Sequence, residues 1–272
     1  MPGRGAYKSR RRVGELHKSV VAFVDILGFS KAVCEATDDG TADELLQRFT
    51  YFIREWRRAL SIYSQDDEGR RTWEVRVLSD SMVISHPIQL QELGGDFEMG
   101  ALLAQISFLQ LGAISHGFFM RGALAVGDMF VDRDIIFGAP LVHAHRAESC
   151  LADTPRILLT DSATEFVLSR VGPNPTAHSP YFRKILRDED GRPFINYLDS
   201  SYQTSGEGPI LDLIEEHREA TVKALERFGN DPDIRPKYNW VAKYHNFWCQ
   251  SWGIDDYMIY GAGLSAARPL TR

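Results

Sequence analysis

Asp25 and Asp80 are the residues whose type and setting point most directly to chemistry. Asp25 follows an apolar run in Ser19-Val-Val-Ala-Phe-Val-Asp-Ile-Leu-Gly-Phe-Ser30, which delivers a lone carboxylate into a small turn. Asp80 stands in Trp73-Glu-Val-Arg-Val-Leu-Ser-Asp-Ser-Met-Val-Ile-Ser85, between two β-rich arms patterned as a hairpin. One such aspartate is an ordinary turn former or helix cap. Two in the same arrangement suit a pair of hard divalent cations, which take carboxylate and backbone oxygens and share their remaining positions with water and substrate phosphates. The turn Leu27-Gly-Phe-Ser30 adds backbone N–H groups at a predicted helix start, a setting that favours an anion, so a triphosphate is the natural ligand.

The elements around these residues follow from periodicity. A strand over 19 to 26 leads through Gly28 to a short helix from Ser30 to about Ala36. A longer helix, capped by Thr41 or Asp43, carries Leu45, Leu46, Phe49, Phe52, Ile53, Trp56 and Leu60 at helical spacing. A hairpin over 72 to 85 ends at Pro87, and a Leu- and Ala-rich helix covers 96 to 116. Residues 118 to 131 read as a further hairpin turning at Asp128, then comes a helix from about 140 to 151 and strands at 157–160, 182–186 and 194–198. Two amphipathic helices, about 210 to 228 and 236 to 250, follow Ser200; the aromatics of the second are read as packing residues. The pattern is α+β: an antiparallel-rich sheet with helices, of the ferredoxin-like split βαβ kind.

The 272 residues are 44% hydrophobic, enough to bury a full core. A net charge of −6 with both signs interspersed gives no general polyanion surface, and no nucleic-acid partner is expected. Arg4, Lys8, Arg10, Arg11 and Arg12 form a basic tail, residues 1–18, read as solvated. Three widely spaced cysteines give neither a disulfide framework nor a zinc ribbon. With no apolar run approaching the roughly 20 residues that span a bilayer, a cytoplasmic protein without a membrane contact is expected. His143 and His145 form a His-x-His pair without a third ligand, so packing or capping is expected of them.

Phe23-Val-Asp-Ile-Leu-Gly-Phe-Ser30 resembles the first metal motif of the class III nucleotidyl cyclases, matched without gaps. Asp80 falls where that family places its second metal aspartate, with Ser79 in place of the usual Gly. Arg121-Gly-Ala-Leu-Ala-Val-Gly127 is similar to the strand after the family's third helix, and Phe137-Gly-Ala-Pro-Leu-Val-His-Ala-His-Arg-Ala-Glu148 to its arginine motif, with Arg146 on the transition-state arginine. The resemblance covers about residues 19–199, leaving 200–272 as a helical extension packed on the core or dimer.

The resemblance implies that Asp25, the Ile26 carbonyl and Asp80 hold two magnesium or manganese ions. It implies that Leu27, Gly28, Phe29, Ser30 and Lys184 bind the triphosphate, and that Arg76 and Ile135 read the base. A homodimer would share two sites, Asp25 and Asp80 coming from one subunit and Arg76, Ile135 and Arg146 from the other. Val142 replaces the family's transition-state asparagine. Arg76 offers only donors and Ile135 no acceptor, which suits the keto oxygens of uracil or cytosine better than adenine. The compact chain and the Lys237 to Asn246 segment are most similar to the pyrimidine nucleotide cyclases of bacterial antiphage (Pycsar) systems. That implies conversion of UTP to 3′,5′-cyclic UMP, or of CTP to cyclic CMP, as a signal to a separate effector. A catalytically inactive, cyclase-like nucleotide-binding module is the alternative.

Overall fold

The computed structural model describes residues 14–36, 38–62, 73–88, 95–132, 134–170, 181, 183–203 and 208–270. The basic run Arg4 to Arg12 lies outside them. Strand β1 (His17–Ile26) is the centre of the sheet, and Val20, Val21, Ala22 and Val24 have no exposed surface. Val20, Ala22, Val24 and Ile26 enter one core with residues of α2 (Asp39–Ile62) and α3 (Asp96–Ser115). On the opposite face Val21 packs with Val83, Met129 and Val131.

β1 pairs antiparallel with β3 (Ser81–Pro87) and with β4 (Met120–Val131), and β2 (Glu74–Leu78) closes a hairpin on β3. The order β4-β1-β3-β2, with helices between β1 and β2 and between β3 and β4, makes two interlocked split βαβ units, the ferredoxin-like arrangement the sequence implies. Between β1 and α2 lies the short helix α1 (Phe29–Glu35). Helix α4 (Ala139–Leu151) crosses over to β6 (Ile157–Leu159), which joins β4 in parallel. β8 (Pro193–Ile195), β7 (Ile185–Arg187) and β9 (Arg268–Pro269) extend that side antiparallel, and β5 (Ile136–Gly138) pairs with the far end of β4.

Four local expectations are corrected. Residues 120–131 form one strand, and Asp128 sits opposite Lys18 in register instead of in a turn. Gly127 there provides room for Pro140 of α4, which a Cβ would approach to 3.3 Å. Asp38, not Thr41 or Asp43, caps α2, its Oδ1 accepting the Thr41 N–H at 2.8 Å. Helix α5 (Asp161–Leu168), too short for a sustained apolar period, has no counterpart in the sequence reading. The apolar length of α3 exceeds the expected limit, and by composition α3 could cross a membrane; it is instead a core helix, with Met99, Leu102, Leu103, Ile106 and Leu109 buried.

Helices α6 (Leu211–Phe228) and α7 (Arg235–Trp252) form a second core, where Ile214, Val241, Tyr244 and Trp248 meet Leu111, Ile114, Phe119, Leu158 and Phe194. A buried polar chain fixes this layer. His245 Nε2 lies 2.9 Å from the Tyr257 carbonyl, which only accepts, so that nitrogen carries the proton. His245 Nδ1 therefore accepts from His217 Nδ1–H at 3.0 Å, and Tyr197 donates to His217 Nε2 at 2.8 Å. Both imidazoles must be neutral for this pattern, and burial accordingly holds His217 well below its ordinary value and His245 at about 4.

Gly122 shows how tightly the sheet centre is built. A Cβ there would lie 2.4 Å from the Phe23 carbonyl oxygen and 2.9 Å from Val24 Cα. Gly122→Ala should therefore force β4 from β1 and cost about 1–3 kcal/mol, read as a lowered urea midpoint at unchanged m-value; an unchanged midpoint would show that the strands have slack.

Candidate functional site

Register places the first carboxylate. Asp25 is opposite Ser81 of β3 on one side and Arg121 of β4 on the other, so all three share a sheet face with Phe23, Val83 and Arg76. Asp80 is at the two-residue tip between β2 and β3, where Ser79 takes φ 59°, the left-handed conformation that glycine would hold without strain. The Ile26 N–H donates to the Asp80 carbonyl at 3.2 Å, pinning the β1 terminus to the hairpin tip. Ser81 donates to Asp25 Oδ1 at 3.0 Å and Ser30 to Asp80 Oδ2 at 3.1 Å. Asp25, Ile26, Asp80 and Ser30 are thus brought together within one chain.

The turn after β1 is narrower as an anion site than its sequence suggests. Leu27 N–H is taken by the Phe119 carbonyl at 2.8 Å. Gly28, at φ 74°, precedes α1, and the Ala32 N–H is the first to bond back, to the Gly28 carbonyl, so the amides of Gly28, Phe29, Ser30 and Lys31 are the ones left to meet an anion.

Arg121 and Glu148 have no site role in the sequence reading, yet both belong here. Arg121 Nη2 lies 2.9 Å from Glu148 Oε1, while its Nε is 3.6 Å from Asp25 Oδ2. Two carboxylates, Asp25 and Glu148, therefore share the Arg121 guanidinium, and Asp80 lies close enough for its charge to act on Asp25. Burial raises the Asp25 carboxyl above its ordinary value; the Ser81 hydrogen bond opposes this, the charges of Asp80 and Glu148 add to it, and Arg121 offsets part. An excess of negative oxygen donors in a half-buried site fits a hard divalent cation, with Asp25, Asp80 and the Ile26 carbonyl as the oxygens to hold it. Strand register reveals these two residues, and register is not visible in one sequence.

The remaining candidates lie apart. Arg76 is tied down by Glu74 Oε2 at 3.2 Å, by the Val75 carbonyl at 3.1 Å and by the Asp132 carbonyl. The Asp132 carboxylate in turn accepts the Ile135 N–H at 2.7 Å, so the two proposed base readers do meet at one place, with Ile135 exposed. Arg146 is exposed on α4, and Glu148 on the same helix points inward. Two residues are about 200° of helix rotation. Arg146 therefore faces away from the Asp25 that Glu148 faces, and Glu148 pairs instead with Arg121.

Lys184 precedes β7, four strand positions from β1, which is about 19 Å at ordinary strand spacing. Its charge, like that of Arg183, acts on Asp199. Its neighbours are engaged as well: Arg183 lies over the Trp252 ring and Arg187 donates to the Gly191 carbonyl. His145 packs edge-on against Phe23 at 4.9 Å, the packing role expected of it.

The Asp25 shift has a testable sign. A carboxyl whose folded value is raised binds more protons in the folded than in the unfolded state, so its contribution to stability is present below the unfolded value and is lost as pH rises through the folded one. Metal-free Asp25→Asn should therefore be more stable than the parent at pH 7 in matched urea titrations, and the gap should close on acidification through the carboxylate range. A gap that widens with acidification would show that Asp25 is stabilised as an anion.

No protein-family model and no curated protein sequence matches the chain. Among solved structures, a class III adenylyl cyclase-like ATP-binding protein from Pseudomonas aeruginosa aligns with a TM-score of 0.43 at 13% identity, over 65% of this chain and 44% of that one. The chain spans less than half the length of that protein.

Proposed function

We propose that this chain is a pyrimidine nucleotidyl cyclase that converts UTP to 3′,5′-cyclic UMP and pyrophosphate at sites shared between two copies. The observation that carries the reading is the meeting of Asp25, Asp80 and the Ile26 backbone at one turn, with the charges of Asp80 and Glu148 both acting on Asp25 beside Arg121. Asp25, Asp80 and the Ile26 carbonyl would hold two magnesium or manganese ions. When bound, such ions lower the pKa of a hydroxyl and neutralise phosphate oxygens.

The chain's own residues would do the rest. The amides of Gly28, Phe29 and Ser30 receive phosphate oxygens, and Ser30 and Ser81 hold the two aspartates in place. The ribose 3′-oxygen attacks the α-phosphorus in line, a P–O bond forms, the bond to the β-phosphate bridging oxygen breaks, and the hydroxyl proton is lost to solvent. Arg146 offsets the charge that develops at the transferring phosphorus.

Arg146 must come from a second copy, because its own α4 turns it away from its own Asp25. Exposed Ile135, Phe137 and Val142, which stand around the β5 arm and the start of α4, are apolar surface suited to that contact. Lys184, too distant from its own Asp25, would likewise serve the triphosphate across the interface. Arg76, with donors only, and Ile135 favour a keto-bearing base: uracil first, cytosine as the alternative. By sequence resemblance the product would signal to a separate effector in antiphage defence. Val142 in place of an asparagine, together with the engaged guanidinium of Arg76, favours a second reading, a nucleotide-binding module without turnover.

Complementation tests the shared site. Asp25→Ala and Arg146→Ala chains should each lose about a thousandfold in rate, since several kcal/mol of charge stabilisation is removed. Mixed, they should regain activity through one intact site per dimer. Separate inactivity that persists on mixing, with both variants folded, would contradict it.

A further inference from the structure

We propose that Glu148 holds the Arg121 guanidinium off Asp25 and so keeps that carboxylate open to a divalent cation, both being positioning residues. The inference rests on the metal-dependent reading above and names how its site is regulated within one chain. Arg121 is directly opposite Asp25 in the β1–β4 register, so it is the cation best placed to neutralise Asp25 and close the site. It does so only in part. Its nearest carboxylate contact is the ion pair with Glu148 at 2.9 Å, whereas its Nε makes a longer ion pair with Asp25 Oδ2, at 3.6 Å, beyond a hydrogen bond. Arg121 Nη1 is held at 3.5 Å by the Ala152 carbonyl, just past the end of α4.

Burial explains the choice. Glu148 is 4% exposed, and its Oε2 accepts the Ser149 hydroxyl at 2.8 Å, which fixes the carboxylate plane. A carboxylate so far removed from water needs a cation more than the partly hydrated Asp25 does, so the guanidinium stays with Glu148. Arg121 Nε and Glu148 Oε1 are both shielded from solvent without an aligned hydrogen bond, so the two are held by charge and proximity, which is the cost of that position. Once the Glu148 charge is gone, Asp25 is the carboxylate left beside Arg121. A small rotation turns the 3.6 Å contact into a hydrogen-bonded pair and occupies the oxygen that a metal requires. Glu148 therefore acts on metal affinity through Arg121 and not as a ligand.

The rival account is that Glu148 adds only negative charge at a distance, and a double-mutant cycle separates the two. Mn2+ affinity of the full chain, without nucleotide, is measured by calorimetry and by the electron paramagnetic resonance signal of free Mn2+. The proteins are the parent, Glu148→Gln, Arg121→Met and the double variant, with circular dichroism confirming each fold. Arg121→Gln replaces Arg121→Met if the latter does not fold. Glu148→Gln should weaken binding about tenfold while Arg121 is present and change it less than about twofold once Arg121 is removed. An equal factor in both backgrounds, or no loss with Arg121 present, would overturn the inference alone. Mn2+ binding by the parent that survives Asp25→Asn would overturn the metal reading beneath it, and this inference with it.

Discussion

The antiparallel register of β1 between β3 and β4 is the constraint on which the rest of the molecule depends. Side chains alternate across a strand, so a slip of one residue would drive Asp25 into the core with α2 and α3 and turn Val20, Ala22, Val24 and Ile26 outward. Burying each of the larger three stabilises by about 1.5–3 kcal/mol, while the Asp25 carboxylate on the other face is offset by Ser81 and Arg121. Hydrophobic burial on one face thus fixes the placement of charge on the other. Gly122, with no room for a Cβ against β1, lets β4 approach closely enough for Arg121 to face Asp25.

The charges on that face explain both what one chain has and what it lacks. Among the described residues Arg121 is the cation that pairs with Asp25 and Glu148, with Asp80 close by, which leaves the site rich in oxygen donors. The other positive groups that the proposed chemistry would use point elsewhere: Arg146 out from α4, Lys184 toward Asp199 at the other side of the sheet, Arg76 into its own hairpin and the turn near Ile135. Helix α4 carries both kinds of group, since Glu148 faces inward to Arg121 and Arg146 faces out. The α6–α7 layer stands behind this arrangement, packed on α3 and the β6–β8 side and locked by neutral His217 and His245.

Much of the fold was legible because its signals are local. The apolar run before Asp25, the hairpin flanking Asp80, the stripe of α2 and the amphipathic pattern of α6 each specify an element without long-range information. Leu46 belongs to the α2 stripe by spacing yet is exposed, since a periodicity gives the side of a helix and not the edge of its contact. Asp128 looked like a turn because Gly127 precedes it, but that glycine makes room for Pro140. Of the site, Asp25 and Asp80 were readable from their settings. Arg121 and Glu148 were not, because their partnership is created by strand pairing and by the approach of α4, and nothing in their own neighbourhoods marks it. Leu27 was misread for the same reason: its amide is consumed by Phe119, a residue ninety-two positions away.

The central claim is that the carboxylates at this turn serve a pyrimidine nucleotide cyclisation. Incubating the purified protein with each of the four nucleoside triphosphates and Mn2+, and identifying products by mass, tests it most directly. The account predicts a 3′,5′-cyclic pyrimidine monophosphate, cyclic UMP foremost, released with equimolar pyrophosphate. Cyclic AMP as the sole product would contradict the base assignment to Arg76 and Ile135, and nucleotide binding without pyrophosphate release from any of the four would contradict the cyclase.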